Sequence, residues 1–78
     1  MTRKDVNRLK YTIALVAEFA QRYELSERQA YNYLSRFKGL VHLSDFYDVL
    51  HTLSFEDAIE SISVVCQNNG GKLQYNNV

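Results

Sequence analysis

The sequence predicts an all-α domain, a small compact bundle of four short helices, and three observations carry this prediction. The chain has 78 residues with no proline and only three glycines, so few positions would interrupt a helix. Apolar residues recur three and four positions apart in four segments, which is the spacing that lines one side of an α-helix. Three of these segments follow a serine or threonine suited to capping. We expect residues 1–71 to form this single domain and residues 72–78 to form a frayed C-terminal tail.

The three capping signals share one pattern, in which a hydroxyl residue follows an apolar residue and precedes Asp or Gln by three positions. They are Met1-Thr2-x-x-Asp5, Leu25-Ser26-x-x-Gln29 and Leu53-Ser54-x-x-Asp57. In each of them, the hydroxyl can accept a hydrogen bond from a free N–H of the first helical turn, and the later polar side chain can reach back. Helices are therefore predicted to begin directly after Thr2, Ser26 and Ser54.

The first predicted helix, from about Arg3 to Tyr23, has more apolar surface than one core-facing side requires. Its main stripe consists of Val6, Leu9, Ile13, Val16, Ala20 and Tyr23. Tyr11, Leu15 and Phe19 lie beyond one edge of that stripe. We therefore expect this helix either to be central in the fold or to be shared with another chain, which makes these three residues a candidate oligomer or partner face. The alternative is that Tyr11 and Leu15 are covered by the C-terminal tail.

The other three predicted helices run from about Glu27 to Phe37, from Leu40 to Thr52 and from Phe55 to Asn68. Each has an apolar side that should face the core. The inward residues are Ala30, Tyr33, Leu34 and Phe37 in the second helix, Leu40, Leu43, Phe46, Tyr47, Val49, Leu50 and Leu53 in the third, and Phe55, Ala58, Ile59, Ile62, Val65 and Cys66 in the fourth. Gly39 is expected to end the second helix or to form the turn after it. The stretch Asn69-Gly70-Gly71 should end the fourth helix with a glycine in the left-handed conformation.

Composition and charge weigh against several classes of protein. Nine Lys and Arg residues balance nine Asp and Glu residues, so net charge gives no general attraction to nucleic acid or to an anionic membrane. Cys66 is the single cysteine, which favours a reduced, cytoplasmic setting. Asp5 and Glu18 interrupt the basic and apolar start, so no signal peptide is predicted, and no segment approaches the ~20 apolar residues of a membrane span.

A chain this short buries only about 60% of the surface that its unfolded form exposes, so a partner or self-association would stabilise it.

The stretch from His42 to His51 resembles a ligand motif, because a histidine or an aspartate stands at every third position. On one α-helix, a step of three residues falls about 60° short of a full turn, so His42 and His51 end up on opposite rims of the apolar side. Zinc needs three or four convergent ligands, so we predict no metal site and no cofactor. Asp48 and His51 lie three residues apart and can pair. We favour a structural pair at a helix end, because neither a nucleophile nor an oxyanion hole accompanies them.

The segment Tyr47-Asp48-Val49-Leu50-His51-Thr52 (YDVLHT) is the distinctive motif of the chain, and Ala30-Tyr31-x-Tyr33-Leu34-x-x-Phe37 precedes it. Together with Asp57 and Ile62, this pattern resembles DUF3791, a family of short bacterial proteins of unknown function, over roughly residues 13–71. Because that family has no established activity, the resemblance transfers no catalytic residue. It implies a role as an accessory or antitoxin-like partner of a protein with an ADP-ribosyltransferase fold. Tyr47, Asp48, His51 and Thr52 match the motif and would serve either the corner between two helices or a partner surface.

Three hypotheses about function follow. The first is a non-enzymatic protein-interaction module. It would bind a protein partner or a second copy of this chain through the face of Tyr11, Leu15 and Phe19 or through the polar side of the third helix. That polar side comprises Asp45, Asp48, His51 and Thr52.

The alternative is a nucleic-acid-binding helix-turn-helix regulator with Ser26–Phe37 as its recognition helix, and zero net charge weighs against it. Its candidate contacts are Arg28, Tyr31, Asn32, Arg36 and Lys38. The third is a small enzyme with Asp48 and His51 as an acid/base pair, and we do not expect enzymatic activity.

Overall fold

A computed structural model describes residues 2–72, and these residues form five helices without a strand. The helices are α1 (Arg3–Arg22), α2 (Glu27–Arg36), α3 (Gly39–Asp45), α4 (Tyr47–Leu50) and α5 (Phe55–Asn68). The predicted all-α class is confirmed, but the predicted number of helices is wrong because the third predicted helix is divided into α3 and α4. Of the predicted C-terminal tail, residues 72–78, only Lys72 belongs to the described part of the chain, and residues 73–78 lie outside it.

The division between α3 and α4 lies at Phe46, whose dihedral angles (φ −115°, ψ 23°) depart from those of a helix. Neither proline nor glycine marks this position. The predicted inward arc of this segment is also too wide. Leu43 and Leu50 are buried, whereas Phe46 and Val49 are 51% and 59% exposed. In a domain of this size, the other helices cover only one side of this segment. The seven residues of the apolar arc therefore cannot all face the core.

Local side-chain caps begin two of the helices, as the sequence predicts. At α2, the Ser26 Oγ accepts from the Gln29 N–H (3.1 Å), and the Ser26 N–H donates to the Gln29 Oε1 (2.9 Å). At α5, the Ser54 Oγ accepts from the Asp57 N–H (3.1 Å). At the other end of α5, Gly70 has φ +98°, so the expected left-handed glycine is confirmed.

The core lies between α1, α2, α3 and α5, with α1 in contact with both α2 and α5 and α3 in contact with the same two helices. Its buried apolar residues are Leu15, Val16, Phe19, Ala20, Tyr23, Ala30, Leu34, Leu43, Leu50, Ala58, Ile59, Ile62 and Cys66. A buried hydrogen bond of 2.8 Å joins the Tyr23 hydroxyl to the Ser63 hydroxyl and so connects the end of α1 to α5.

The inward side of α1 differs from the predicted stripe. Leu15 and Phe19 are 0% and 1% exposed, whereas Leu9 and Ile13 are 48% and 60% exposed. The prediction that Leu9 and Ile13 face the core is therefore wrong. Val16, Ala20 and Tyr23 of the same predicted stripe are buried, so the stripe is confirmed towards the C-terminal end of α1. Apolar periodicity identifies the stripe, but only contacts with other helices decide how much of it is covered.

Contrary to the prediction from the sequence, Gly39 neither ends α2 nor forms the turn after it but is the first residue of α3, and it is buried. A Cβ atom at this position would lie 2.7 Å from the Leu34 Cδ2 and 2.9 Å from the Cys66 Sγ. Only glycine fits there without displacing a neighbour. This residue therefore allows α3 to approach α2 and α5 closely, which sets the position of α4 and of the motif that follows.

Candidate interaction sites

The YDVLHT motif comprises the whole of α4 and the two residues after it, and the side chains of these two residues, His51 and Thr52, contact carbonyl groups of the helix. The Tyr47 carbonyl accepts from the His51 N–H (3.0 Å), and the His51 Nδ1 lies 2.8 Å from the same oxygen. Because a carbonyl oxygen can only accept, this contact places a proton on Nδ1. The Val49 carbonyl accepts from the Thr52 hydroxyl at 2.6 Å. His51 and Thr52 therefore cap their own helix end.

Tyr47 is the buried anchor of the motif, since only 9% of it is exposed and aromatic and cationic groups surround its ring. The His51 ring stacks on it at 4.7 Å with an interplanar angle of 13°, and the Tyr11 ring meets it edge-on at 5.5 Å. The Arg8 guanidinium lies 5.2 Å from the centre of the Tyr47 ring, within the range of a cation–π contact. Phe55 extends the cluster by stacking on Tyr11 at 5.8 Å.

Tyr11 ties α1 to this corner. Its hydroxyl donates to the Leu50 carbonyl at 3.0 Å. Burial raises the pKa of the Tyr11 hydroxyl above its ordinary value, and the nearby Tyr47 adds to the effect, so the group remains a donor at neutral pH. Sequence reasoning missed Arg8 and Tyr11 as neighbours of the motif, because no local spacing signals a contact between residues more than 30 positions apart. It missed Phe55 because that residue joins the cluster through Tyr11.

The four histidines and aspartates of the His42-to-His51 stretch do not converge. His51 contacts the Tyr47 carbonyl, whereas the His42 Nε2 lies 3.5 Å from the Ser61 Oγ on α5. Asp48 is exposed in the first turn of α4, and no hydrogen bond or ion pair between the described residues joins it to His51. Within the described part of the chain, no group of three or more His, Cys, Asp or Glu residues is placed to hold a metal ion.

The predicted face of Tyr11, Leu15 and Phe19 is not a surface. Leu15 and Phe19 lie in the core, and Tyr11 is half-buried against Tyr47 and Phe55. This prediction is wrong for a physical reason. The excess apolar width of α1 is real, but its exposed part lies on the other edge, at Leu9 and Ile13.

A groove between α1 and the α2–α3 pair is the apolar surface that sequence reasoning missed. It consists of two adjoining crevices of about 330 and 390 Å³, which share Leu9, Thr12 and Tyr31 in their walls. Its further lining residues are Arg8, Ile13, Val16, Glu27, Arg28, Leu40, Leu43 and Ser44. Leu9, Ile13 and Tyr31 are each about half exposed. We call this surface the α1–α2 groove. The sequence signal for this groove is Tyr31, an aromatic residue that is not among the predicted core-facing residues of α2.

Two charged surfaces flank this groove or lie beyond it, and Arg28 belongs both to the groove and to the second of them. A cleft of about 410 Å³ between α1 and α5 is lined by Glu18, Gln21, Arg22, Phe55, Glu56, Asp57, Ile59 and Glu60, so four carboxylates accompany one guanidinium there. On α2, Arg28, Asn32 and Arg36 are exposed at a spacing of four residues, and Lys38 follows. The described part of the chain thus has one mainly acidic and one mainly basic surface, although the total charge is zero.

Cys66 is completely buried beside Gly39, and burial raises the pKa of its thiol to about 11, while a hydrogen bond to the Gly39 backbone acts in the opposite direction. The thiol therefore stays protonated at neutral pH and cannot act as a nucleophile there.

None of the helices in residues 2–72 combines the length and apolar character that crossing a bilayer requires.

The comparisons with known proteins give one match. A family model described as "Protein of unknown function (DUF3791)" matches residues 10–69, a range that contains the whole YDVLHT motif. The resemblance that the motif indicates is thereby confirmed. No curated protein and no solved structure matches the chain.

Proposed function

The chain belongs to the DUF3791 family of proteins of unknown function, and we propose that it is a non-enzymatic protein-interaction module, an accessory or antitoxin-like partner of a protein with an ADP-ribosyltransferase fold. The observation that carries this proposal is the α1–α2 groove, where Leu9, Ile13 and Tyr31 lie together and are 48%, 60% and 53% exposed. Single exposed apolar residues are ordinary, but a contiguous apolar patch in a polar rim is typical of a protein-binding surface.

The chemistry of the side chains also favours binding over catalysis. The Cys66 thiol is buried and protonated at neutral pH. His42 and His51 contact different partners, Ser61 and the Tyr47 carbonyl, and the His51 ring is held in a stack against Tyr47. A catalytic pair needs its acid and base directed towards one reacting atom.

Co-expression tests this proposal. The chain is produced together with an ADP-ribosyltransferase-fold protein encoded beside its gene, and the purified material is analysed by size-exclusion chromatography with light scattering. We expect a complex of the two proteins. If the partner inhibits growth when expressed alone, co-expression should relieve that inhibition. A chain that elutes as a strict monomer and leaves its neighbour unbound would contradict the proposal.

A second candidate function is nucleic-acid binding through α2, and the exposed series Arg28, Asn32 and Arg36 favours it. Exposed basic residues four positions apart lie on one side of a helix and can follow a phosphate backbone. Glu27 at the start of the same helix and the zero net charge weigh against it. Fluorescence anisotropy with labelled duplex DNA and single-stranded RNA at low salt tests it. Binding that Arg36→Glu abolishes would favour this candidate over the first.

A further inference from the structure

We infer that the α1–α2 groove holds one α-helical segment of the partner protein, with an apolar stripe that enters the groove and carboxylates that flank the stripe at both ends. This inference rests on the proposed function and names both the surface and the chemistry of the occupant. It is carried by three features of the groove: its shape, its charges and the small area of its apolar surface.

The shape suits a helix. One wall is α1 from Arg8 to Val16, and the other is α2 with the start of α3. At 1.5 Å per residue, this stretch of α1 is about 12 Å long, or slightly more than two helical turns. Leu9 and Ile13 are four residues apart on the first wall, and Tyr31 faces them from the second. A helix that lays apolar anchors three and four residues apart into such a groove is a common mode of recognition.

The charges at the groove determine which helix fits. Arg8 lies at one end and Arg28 at the other, while Glu27 is the one acidic lining residue. The Arg8 guanidinium lies 5.2 Å from the centre of the Tyr47 ring, and the Arg8 side chain also lines the groove. Guanidinium groups bind carboxylates in preference to other side chains. An occupant with a carboxylate near each end of its apolar stripe would therefore complement the two arginines.

The area of the patch argues against a second copy of this chain as the occupant. Leu9, Ile13 and Tyr31 together expose apolar surface on the order of a few hundred Å². A stable homodimer buries about 800 Å² on each partner, of which about 65%, or roughly 500 Å², is apolar. A single helix of two to three turns matches the smaller area.

The test uses the complete chain and two synthetic probes. Both probes are alanine-rich helical peptides of about 18 residues, with two leucines four positions apart. One peptide has glutamates one turn outside the leucines on each side, and the other has lysines at the same positions. Fluorescence anisotropy measures binding, and sedimentation velocity measures the oligomeric state of the chain alone.

We expect the glutamate peptide to bind at least about tenfold more tightly than the lysine peptide, with a difference that shrinks at about 0.5 M salt. Ile13→Asp should weaken binding about tenfold, whereas Val64→Asp, at an apolar position on α5 that is 50% exposed against 60% for Ile13, should not. Arg28→Glu should reduce the preference for the glutamate peptide, because Arg8 still favours a carboxylate at the other end of the groove. Lys72→Glu changes the charge by the same amount outside the groove, so it should preserve that preference.

Several results would overturn the inference. They are equal binding of both peptides, binding of neither, equal effects of Ile13→Asp and Val64→Asp, or a dimer of the free chain that Ile13→Asp dissolves. The proposed function is tested separately by co-elution with the neighbouring protein. A complex that forms and is unaffected by Ile13→Asp would refute the groove as the site and leave the proposed function in place. Failure to form any complex would refute the proposed function itself.

Discussion

Replacing Gly39 with alanine should destabilise the fold, because this residue lies where α2, α3 and α5 meet. The added methyl group would lie 2.7 Å from the Leu34 Cδ2, 2.9 Å from the Cys66 Sγ and 3.2 Å from the Ile62 Cγ2. All three neighbours are buried, with exposures of 0–1%. Carbon and sulphur atoms in contact normally lie about 3.5–4.0 Å apart, so at least two side chains must move.

The magnitude follows from two opposing effects. Forcing one extra carbon into a well-packed core costs about 1–3 kcal/mol. Replacing glycine by alanine in a helix gains about 0.4–1 kcal/mol by restricting the unfolded chain. Gly39 has helical backbone geometry at the start of α3, so this gain applies. We therefore expect Gly39→Ala to lower the free energy of unfolding by about 1–2 kcal/mol.

Urea denaturation followed by circular dichroism measures this change. The urea midpoint should fall, while the slope m should equal that of the parent chain because unfolding exposes the same amount of surface. Cys66→Ala provides the matched control. The added methyl can occupy part of the space left by the Sγ, so the double variant should be more stable than the sum of the two single changes implies, by about 1 kcal/mol. Full additivity, or a Gly39→Ala variant as stable as the parent, would refute the reasoning.

Three further predictions concern local contacts and pH. Tyr11→Phe should lower the free energy of unfolding by about 0.5–1.5 kcal/mol, because the hydrogen bond to the Leu50 carbonyl is lost; an unchanged urea midpoint would contradict this. Ser54→Ala removes the cap on the Asp57 N–H and should cost about 1 kcal/mol, whereas Ser54→Asp, which can still cap, should not. The pKa of the Cys66 thiol is raised from 9.0 to about 11 in the folded chain, so the unfolded chain loses this proton first as pH rises. The contribution of Cys66 to the free energy of unfolding should therefore be constant below about pH 9 and fall between about pH 9 and 11 by up to about 1.4 kcal/mol per pH unit. A Cys66→Ala variant should lose this part of the pH dependence in urea titrations, whereas the part that comes from Tyr11, whose pKa is also raised, should remain.

The YDVLHT motif shows how far the sequence leads towards the site. The motif identifies the family, and the position of His51 near a helix end predicts its contact with the end of the helix. That contact is with the Tyr47 carbonyl, since the His51 Nδ1 lies 2.8 Å from it. The cluster around Tyr47 could not be predicted in the same way. Arg8 and Tyr11 come from a helix more than 30 residues earlier in the chain, and no local pattern encodes such a contact.

The sequence by itself determined the all-helical class, the starts of α2 and α5 and the glycine at the end of α5. These features depend on interactions within a single helical turn, such as the reciprocal Ser26 and Gln29 hydrogen bonds. Only the tertiary structure decided that Leu15 and Phe19 face the core while Leu9 and Ile13 face outward, and that the helix is interrupted at Phe46. Burial depends on which other helices cover a given side, and the periodicity of one helix carries no information about its neighbours.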